Sequence, residues 1–266
     1  MSFIHRLRFA NPSWWSYHWT HRNPLRYWWR YFNSRPFPEG YSSIEDLSDY
    51  SRRHRVLGFN FEYVRSYIFW RLHQLNECTS FVETGTLYGN TAGYAHRAFK
   101  TPVFTSEISS TYYTVGRANL LWARGVNRYL GNSPDFLRRV CDSSLIGERP
   151  MFWLDAHWYE SLPLAEELEV IGKQCERATI LIDDFYVPWE PEFRYDEYPS
   201  ARIDTELVNS SIGSCRSDVT TYLPAYRPEQ EPYEKATGFA VIQVGEGREL
   251  PADDFPFNLL RKANDQ

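Results

Sequence analysis

The stretch that decides the fold is residues 79–91, TSFVETGTLYGNT. A short apolar run there ends in a carboxylate, Glu83, and glycines follow at positions 85 and 89. Such a run, bounded by a turn signal, is typical of a buried strand. The glycines allow the backbone to turn sharply and to come close to a ligand. The stretch therefore predicts a strand, a tight turn and a helix that begins at Asn90 and Thr91.

The rest of the chain repeats this alternation of strand and helix. Strand-like apolar runs lie at 79–84, 102–107, 126–130, 151–155 and 178–183, and then near 217–223 and 237–244. Helix-like runs lie at 60–76, 90–99, 110–124, 134–144, 161–176 and 202–215. This order indicates a parallel sheet with helices on both faces. The predicted fold class is α/β, a doubly wound, Rossmann-like, mostly parallel sheet of seven strands.

The first 38 residues differ from the remainder in composition. They hold six arginines, no acid and five of the ten tryptophans. With 29 basic and 34 acidic residues in the whole chain, the part after residue 38 has a formal charge of −11. We therefore divide the chain into an aromatic, basic N-terminal arm, 1–38, and one α/β domain, 39–266. Within that domain 186–200 and 224–235 are rich in Pro, Tyr and acids, and we expect surface or lid loops there.

The arm suggests two kinds of partner. Arg and Trp together are typical of helices at a membrane surface, which would make the protein peripheral to a membrane. The arm could instead wrap the acidic domain or a second subunit and so form a homo-oligomer. The net charge of −5 argues against nucleic acid as a partner. No signal-peptide pattern and no C-x-x-C pair occur, so a cytoplasmic location is expected.

Polar side chains follow nearly every predicted strand. They are Glu83, Glu107, Asn132 with Ser133, Asp155, and Asp183 with Asp184. Ligands bind beyond the carboxyl ends of open parallel sheets, and carboxylates gathered there repel each other unless a cation satisfies them. The glycine spacing is not the dinucleotide fingerprint, and no phosphate-loop lysine follows. We therefore expect a ligand with a cationic amino or sulfonium group near Glu83, and ribose hydroxyls near Glu107.

A metal site is predicted where the fourth and fifth strands end. Asp155 follows one of them, and Asp183 and Asp184 follow the other, so three carboxylates should meet, as Mg²⁺ prefers. A metal there would lower the pKa of an acceptor hydroxyl, and His157 could take the proton, which makes Asp155 and His157 the candidate catalytic residues. Alternatively, the aspartates cap a loop or orient a ligand, and His157 is structural.

Five segments, in this order, resemble the motif series of class I S-adenosylmethionine-dependent methyltransferases: VETGTLYGNT, FTSEIS, LGNSPDFL, FWLDAHW and ILIDDF. The resemblance covers about residues 60–245. A strand-end Asp followed by an Asp-Asp pair is also similar to metal-dependent O-methyltransferases, above all the macrocin-type sugar enzymes.

The resemblance implies a methyl transfer from S-adenosylmethionine to a hydroxyl of a small molecule or sugar, assisted by Mg²⁺. Glu83, Gly85 and Gly89 would hold the methionine part of the cofactor. Glu107 would hold the ribose, and Asn132 and Ser133 would lie beside the adenine. The implied cofactor-binding residues are in full Glu83, Gly85, Thr86, Gly89, Asn90, Thr91, Glu107, Asn132, Ser133 and Asp155.

Two other classes of function stay open. The residues DAH at 155–157 are similar to the D-x-H of metallophosphoesterases, but no Asn-His or Gly-His pair follows, and no D-x-D of a glycosyl transferase occurs. The chain could also be a scaffold with a methyltransferase-like fold and no activity. Degenerate members usually lose the first acid or the glycines, whereas Glu83, Gly85 and Gly89 are all present here.

Overall fold

The computed structural model describes residues 23–33, 37, 40–54, 58–157, 162–231, 236–245 and 249–264. Its helices are α1 (Pro24–Asn33), α2 (Ile44–Arg53), α3 (Tyr63–Leu75), α4 (Asn90–Ala98), α5 (Ser110–Asn119), α6 (Ser133–Asp142), α7 (Leu164–Gln174), α8 (Thr205–Ser210) and α9 (Ile212–Cys215). Its strands are β1 (Ser80–Thr84), β2 (Val103–Glu107), β3 (Val126–Leu130), β4 (Pro150–Leu154), β5 (Ala178–Ile182), β6 (Val219–Pro224), β7 (Ala240–Val244) and β8 (Leu260–Lys262).

The strands form one sheet in the order β3-β2-β1-β4-β5-β7-β6-β8. The first five in sequence pair in parallel, β7 is antiparallel to both β5 and β6, and β8 is antiparallel to β6. The predicted α/β, mostly parallel, doubly wound fold is confirmed. The prediction of seven strands is wrong, because the described residues already form a sheet of eight. The additional strand β8 has three residues, too few for a recognisable strand pattern.

Helices cover both faces of the central sheet. Every residue of β1, β2, β4, β5 and β7 is buried, which for a strand requires cover on each side. That is why β4, β5 and β7 are nearly apolar throughout rather than alternating, while β1 and β2 also bury polar residues at their carboxyl ends. The core includes large aromatic side chains such as Phe81, Phe152 and Trp153.

The predicted helix 202–215 is two short helices, α8 and α9. Asp204 accepts hydrogen bonds from the N–H groups of Glu206 and Leu207 and so sets the start of α8 at Thr205. Ser211, with φ −96° and ψ −89°, leaves the helical conformation and separates the two. The cap by Asp204 and the conformation of Ser211 thus set where the two helices begin and end. The apolar pattern of the sequence indicates neither of them.

Part of the predicted arm is helix α1, while residues 1–22 lie outside the described residues. Tyr27 and Tyr31 are buried, and the indole Nε1 of Trp28 donates to the carbonyl oxygen of Asn119 at 3.0 Å. The Tyr27 hydroxyl donates to the carbonyl oxygen of Gly89 at 2.6 Å. Helix α1 therefore packs on the α/β domain and reaches the glycine turn.

No helix in the described part of the chain combines the length and the hydropathy of a membrane span. Contact of the arm with a membrane surface or with a second subunit stays a prediction.

Candidate functional site

The carboxyl ends of β1, β4 and β5 lie side by side, because these strands are neighbours in the sheet. The N–H of Asp155 donates to the carbonyl oxygen of Thr84 at 3.2 Å, and the N–H of Asp183 donates to that of Leu154, also at 3.2 Å. The strand register thus brings together residues that are up to a hundred positions apart in the chain. This is the edge at which ligands bind in open parallel sheets.

A cleft opens at this edge beside the glycine turn. Its lining is Asn60, Phe61, Glu83, Gly85, Thr86, Leu87, Tyr88, Asn90, Thr91 and Asp155. Gly85 and Gly89 have φ of +89° and +79°, which side-chain-bearing residues rarely adopt. A Cβ atom at position 85 would lie 2.6 Å from the carbonyl oxygen of Asp155. Glycine at this position therefore allows the turn to pack directly against the end of β4.

Glu83 is the buried acid of the cleft. The hydroxyl of Thr105 donates to Glu83 Oε2 at 2.5 Å, and the Thr86 hydroxyl lies 2.5 Å from that of Thr105. Burial raises the pKa of Glu83 to about 8, although the hydrogen bond from Thr105 acts in the opposite direction. A carboxyl with a raised pKa loses its proton readily when a cationic group binds beside it. Glu83 therefore fits an amino or sulfonium group.

Glu107 is fixed in orientation at the end of β2. Its two carboxylate oxygens accept hydrogen bonds from the N–H groups of Leu87 and Ser109, both at 2.9 Å. Burial raises the pKa of Glu107, and these N–H groups oppose the shift. Since each carboxylate oxygen has a second lone pair, Glu107 can still accept hydrogen bonds from ribose hydroxyls.

Asn132 and Ser133, which follow β3, lie at the start of helix α6. Asn132 is the N-cap of α6, where its Oδ1 accepts from the N–H of Asp135 at 2.9 Å and its Nδ2 donates to the Asp135 carboxylate at 2.7 Å. Ser133 is buried at the start of the same helix. Both Oδ1 and Nδ2 of Asn132 are hydrogen-bonded within this cap. These hydrogen bonds do not favour a contact of Asn132 with adenine, which stays a prediction.

Asp155, His157 and Asp184 form a compact group beside the cleft. Each offers one ligand atom, and the three atoms lie within 4.8 Å of one another. Burial lowers the pKa of His157, but its interaction with Asp184 and the charge of Asp155 outweigh burial and raise it to about 9. Burial and the charges of Asp183 and Asp184 raise the pKa of Asp155 well above its usual value. The charge of the group can therefore be balanced by a proton on Asp155 or His157, or by a bound cation. Two oxygens and one imidazole nitrogen suit Mn²⁺ or Zn²⁺ better than the all-oxygen site that Mg²⁺ prefers.

Asp183, the third predicted metal ligand, lies outside this group. Its Oδ1 accepts from the Arg65 guanidinium at 2.6 Å and from the Thr237 hydroxyl at 2.8 Å. Its Oδ2 accepts from the side-chain amide of Asn60 at 2.6 Å. The side chain is fully buried. The structure brings Asp155 and Asp184 together and adds His157, while Asp183 takes part in a buried ion pair.

Sequence reasoning missed three polar residues near the site. Arg65 is fully buried in α3, and its Nε lies 3.2 Å from the Glu62 carboxylate in addition to the contact with Asp183. The one available signal was an arginine directly beside the apolar helix positions Val64 and Ile68. Asn60 lines the cleft, and nothing in the sequence around it indicates this.

The third missed residue is Glu167 on α7. It is buried, and burial raises its pKa, while the hydroxyls of Ser133 and Thr84 and the charge of His157 act in the opposite direction. It lies in the acidic first turn of its helix, where glutamates are common for reasons of helix stability alone. Its position therefore gave no signal.

The predicted lid loop 186–200 packs over the Asp155–His157–Asp184 group. The N–H of Asp196 donates to the carbonyl oxygen of Asp184 at 2.9 Å. The ring of Tyr198 stands edge-on to that of His157, with centroids 6.4 Å apart. The loop thus contributes one wall of the site.

The strand order and the acids at the strand ends are typical of the Rossmann-like methyltransferase fold. No protein-family model matches the chain, and no curated protein matches its sequence. Solved structures do match.

An O-methyltransferase from Bacillus cereus in complex with SAH is 17% identical, with a TM-score of 0.48, over 76% of this chain and 90% of that chain. The O-methyltransferase of tomaymycin synthesis from Streptomyces achromogenes, in complex with SAM, is 16% identical, with a TM-score of 0.47, over 78% of this chain and 91% of that one. A precorrin-6y C5,15-methyltransferase from Geobacter metallireducens is 11% identical, with a TM-score of 0.43, over 66% and 84%. The solved structures that this chain resembles thus include several methyltransferases.

Proposed function

We propose that this protein transfers a methyl group from S-adenosylmethionine to a hydroxyl of a small molecule or sugar. One observation carries the proposal. A cleft with a buried acid and a glycine turn adjoins the Asp155–His157–Asp184 group at the carboxyl edge of β1, β4 and β5. The cleft fits a cationic ligand, and the neighbouring group fits the activation of a hydroxyl beside it.

Each part of the cleft has a role in this proposal. Glu83 accepts hydrogen bonds from the amino-acid end of the cofactor, and the turn from Gly85 to Gly89 allows close approach of the backbone. Glu107, held by two N–H groups, accepts from the ribose hydroxyls. When bound, S-adenosylmethionine supplies a methyl group on a positively charged sulfur. The acids of the cleft favour that charge.

The acceptor hydroxyl is placed beside Asp155, His157 and Asp184. A divalent cation bound there would lower the pKa of the hydroxyl. In the absence of a cation, the imidazole of His157, whose pKa is raised to about 9, is the group that can take up a proton at this point. Tyr198 and the loop 186–200 limit access of water from one side.

Calorimetric titration with S-adenosylhomocysteine tests the cofactor site, with and without Mn²⁺ or Mg²⁺. We expect micromolar binding that is lost in Glu83→Ala. Transfer of a labelled methyl group to a panel of sugars and catechols then tests the reaction, with Asp184→Asn as the matched variant. Absence of binding to the wild-type chain under all these conditions would contradict the proposal and favour a scaffold.

A further inference from the structure

The turn Phe59–Phe61 beside the cleft is left-handed at three successive residues, with φ of 51°, 57° and 66°. Residues other than glycine rarely adopt this conformation, and asparagine tolerates it best. Backbone strain of this kind is found preferentially at ligand sites. The position of Asn60 in the middle of the turn, facing the cleft, makes it a candidate ligand contact.

The side chains of Thr91 and Arg65 hold this turn in place. The N–H of Phe59 donates to the hydroxyl of Thr91 at 3.2 Å, and the Arg65 guanidinium donates to the carbonyl oxygen of Phe59 at 2.7 Å. The same guanidinium pairs with Asp183, which in turn accepts from the amide of Asn60. Arg65 and Asp183 therefore fix both the backbone of the turn and the side chain at its centre.

The hydrogen bond to Asp183 also decides which atom Asn60 offers to the cleft. The Arg65 guanidinium and the Thr237 hydroxyl donate to Oδ1 of Asp183, and Oδ2 of Asp183 accepts from the side-chain amide of Asn60. The Nδ2 of Asn60 must then face Asp183, at 2.6 Å, which leaves Oδ1 for the cleft. The cleft thus holds an amide carbonyl oxygen together with the carboxyl groups of Glu83 and Asp155. A group of acceptors like this fits a ligand with several N–H donors and a positive charge.

We propose that Asn60 is a ligand-binding residue whose Oδ1 accepts a hydrogen bond from the ammonium group of the cofactor, and that Asp183 and Arg65 are its positioning residues. The inference rests on the proposed function. It adds a contact from outside the glycine turn, so that the ammonium group is held from two sides, by Glu83 on β1 and by Asn60 before α3.

Calorimetry with two ligands tests the contact. S-adenosylhomocysteine carries the ammonium group, whereas 5′-methylthioadenosine lacks the amino-acid part. Asn60→Gly removes the amide but keeps a residue that adopts positive φ. We expect this variant to bind S-adenosylhomocysteine about tenfold to a hundredfold more weakly, as for a lost hydrogen bond to a charged group, and to bind 5′-methylthioadenosine as the wild type does.

Asp183→Asn tests the positioning role, because an amide at this position can donate as well as accept and so no longer dictates the orientation of Asn60. We expect the same selective loss, and thermal denaturation shows whether the variant is folded. Unchanged affinity of Asn60→Gly for S-adenosylhomocysteine, or an equal loss for both ligands, would overturn the inference while leaving the proposed function standing. A wild-type chain that binds neither ligand would remove both.

Discussion

Glu83 should couple ligand binding to the release of a proton. Burial raises its pKa to about 8, so below that pH the ligand-free cleft holds mostly the neutral acid. A bound ammonium group favours the carboxylate and thereby lowers this pKa. The proton must then leave as the ligand binds. Raising the pH from 6 to 8 is therefore expected to strengthen the binding of S-adenosylhomocysteine.

The size of this effect on the binding affinity follows from the difference between the pKa of Glu83 and the pH of the measurement. At pH 7, one unit below a pKa of about 8, roughly a tenth of Glu83 is ionised, and ionising the remainder costs about 1.4 kcal/mol. Affinity at pH 7 should then be about tenfold below its limit at high pH, with about 0.9 proton released per complex. The raised pKa of Glu83 also makes the stability of the ligand-free protein depend on pH. The contribution of Glu83 to the free energy of unfolding is fully present below the pKa that this group has in the unfolded chain. That contribution is lost as the pH rises through the folded-state pKa of about 8.

Calorimetric titration at pH 7 in two buffers of different ionisation enthalpy measures the number of protons released. The matched variant is Glu83→Gln, which keeps the shape of the side chain and cannot ionise. It should bind more weakly and show no dependence on the buffer. Equal heats in both buffers for the wild type, or an affinity that falls between pH 6 and pH 8, would refute the assignment of Glu83 as the acid that meets the cation.

Three further substitutions, together with one control, separate stability from binding. Arg65→Met leaves Asp183 buried without its guanidinium and should lower the free energy of unfolding by about 3–5 kcal/mol in denaturant titrations. The ion pair of Arg202 with Asp204 is the control, because the Arg202 side chain is 38% exposed, and Arg202→Met should cost less than about 1 kcal/mol. Tyr27→Phe removes the hydrogen bond from α1 to the glycine turn and should lower stability by about 1 kcal/mol, measured in the same way. Asp184→Asn should weaken Mn²⁺ binding at least tenfold by calorimetry while the melting temperature changes little, and unchanged affinity would contradict the metal site.

The parts of the site that the sequence predicted are those decided locally. Glu83 and Asp155 each follow an apolar run directly, and in a parallel sheet the end of a strand fixes the edge at which the next residue lies. Register then requires no further information, because neighbouring strands align their ends. The glycine turn was also predictable from local sequence, because glycine is the residue that adopts positive φ most readily.

The parts that could not be predicted depend on contacts between distant residues. Asp183 and Asp184 are adjacent and chemically equal, and only the presence of Arg65, 118 positions earlier, assigns the first to a buried ion pair. The left-handed turn at Asn60 likewise needs Thr91 and Arg65 to hold it. The spacing of apolar residues in the sequence gives no indication of such contacts. The short strand β8 was missed for a different reason, because its three residues carry too little pattern.

The acids at the carboxyl edge of the sheet fall into two sets according to what balances their charge. Asp183 has a permanent partner, because Arg65 is buried with it and cannot leave. Asp155 and Asp184 lie beside His157, which can lose its proton, so in this group a proton can be exchanged for a cation. Keeping one carboxylate permanently paired lets the chain place its neighbour in a fixed position without adding a further uncompensated charge to the site. Of the two adjacent aspartates, the first is therefore held in a buried ion pair, and the second is the one that the proposed function assigns to a bound cation.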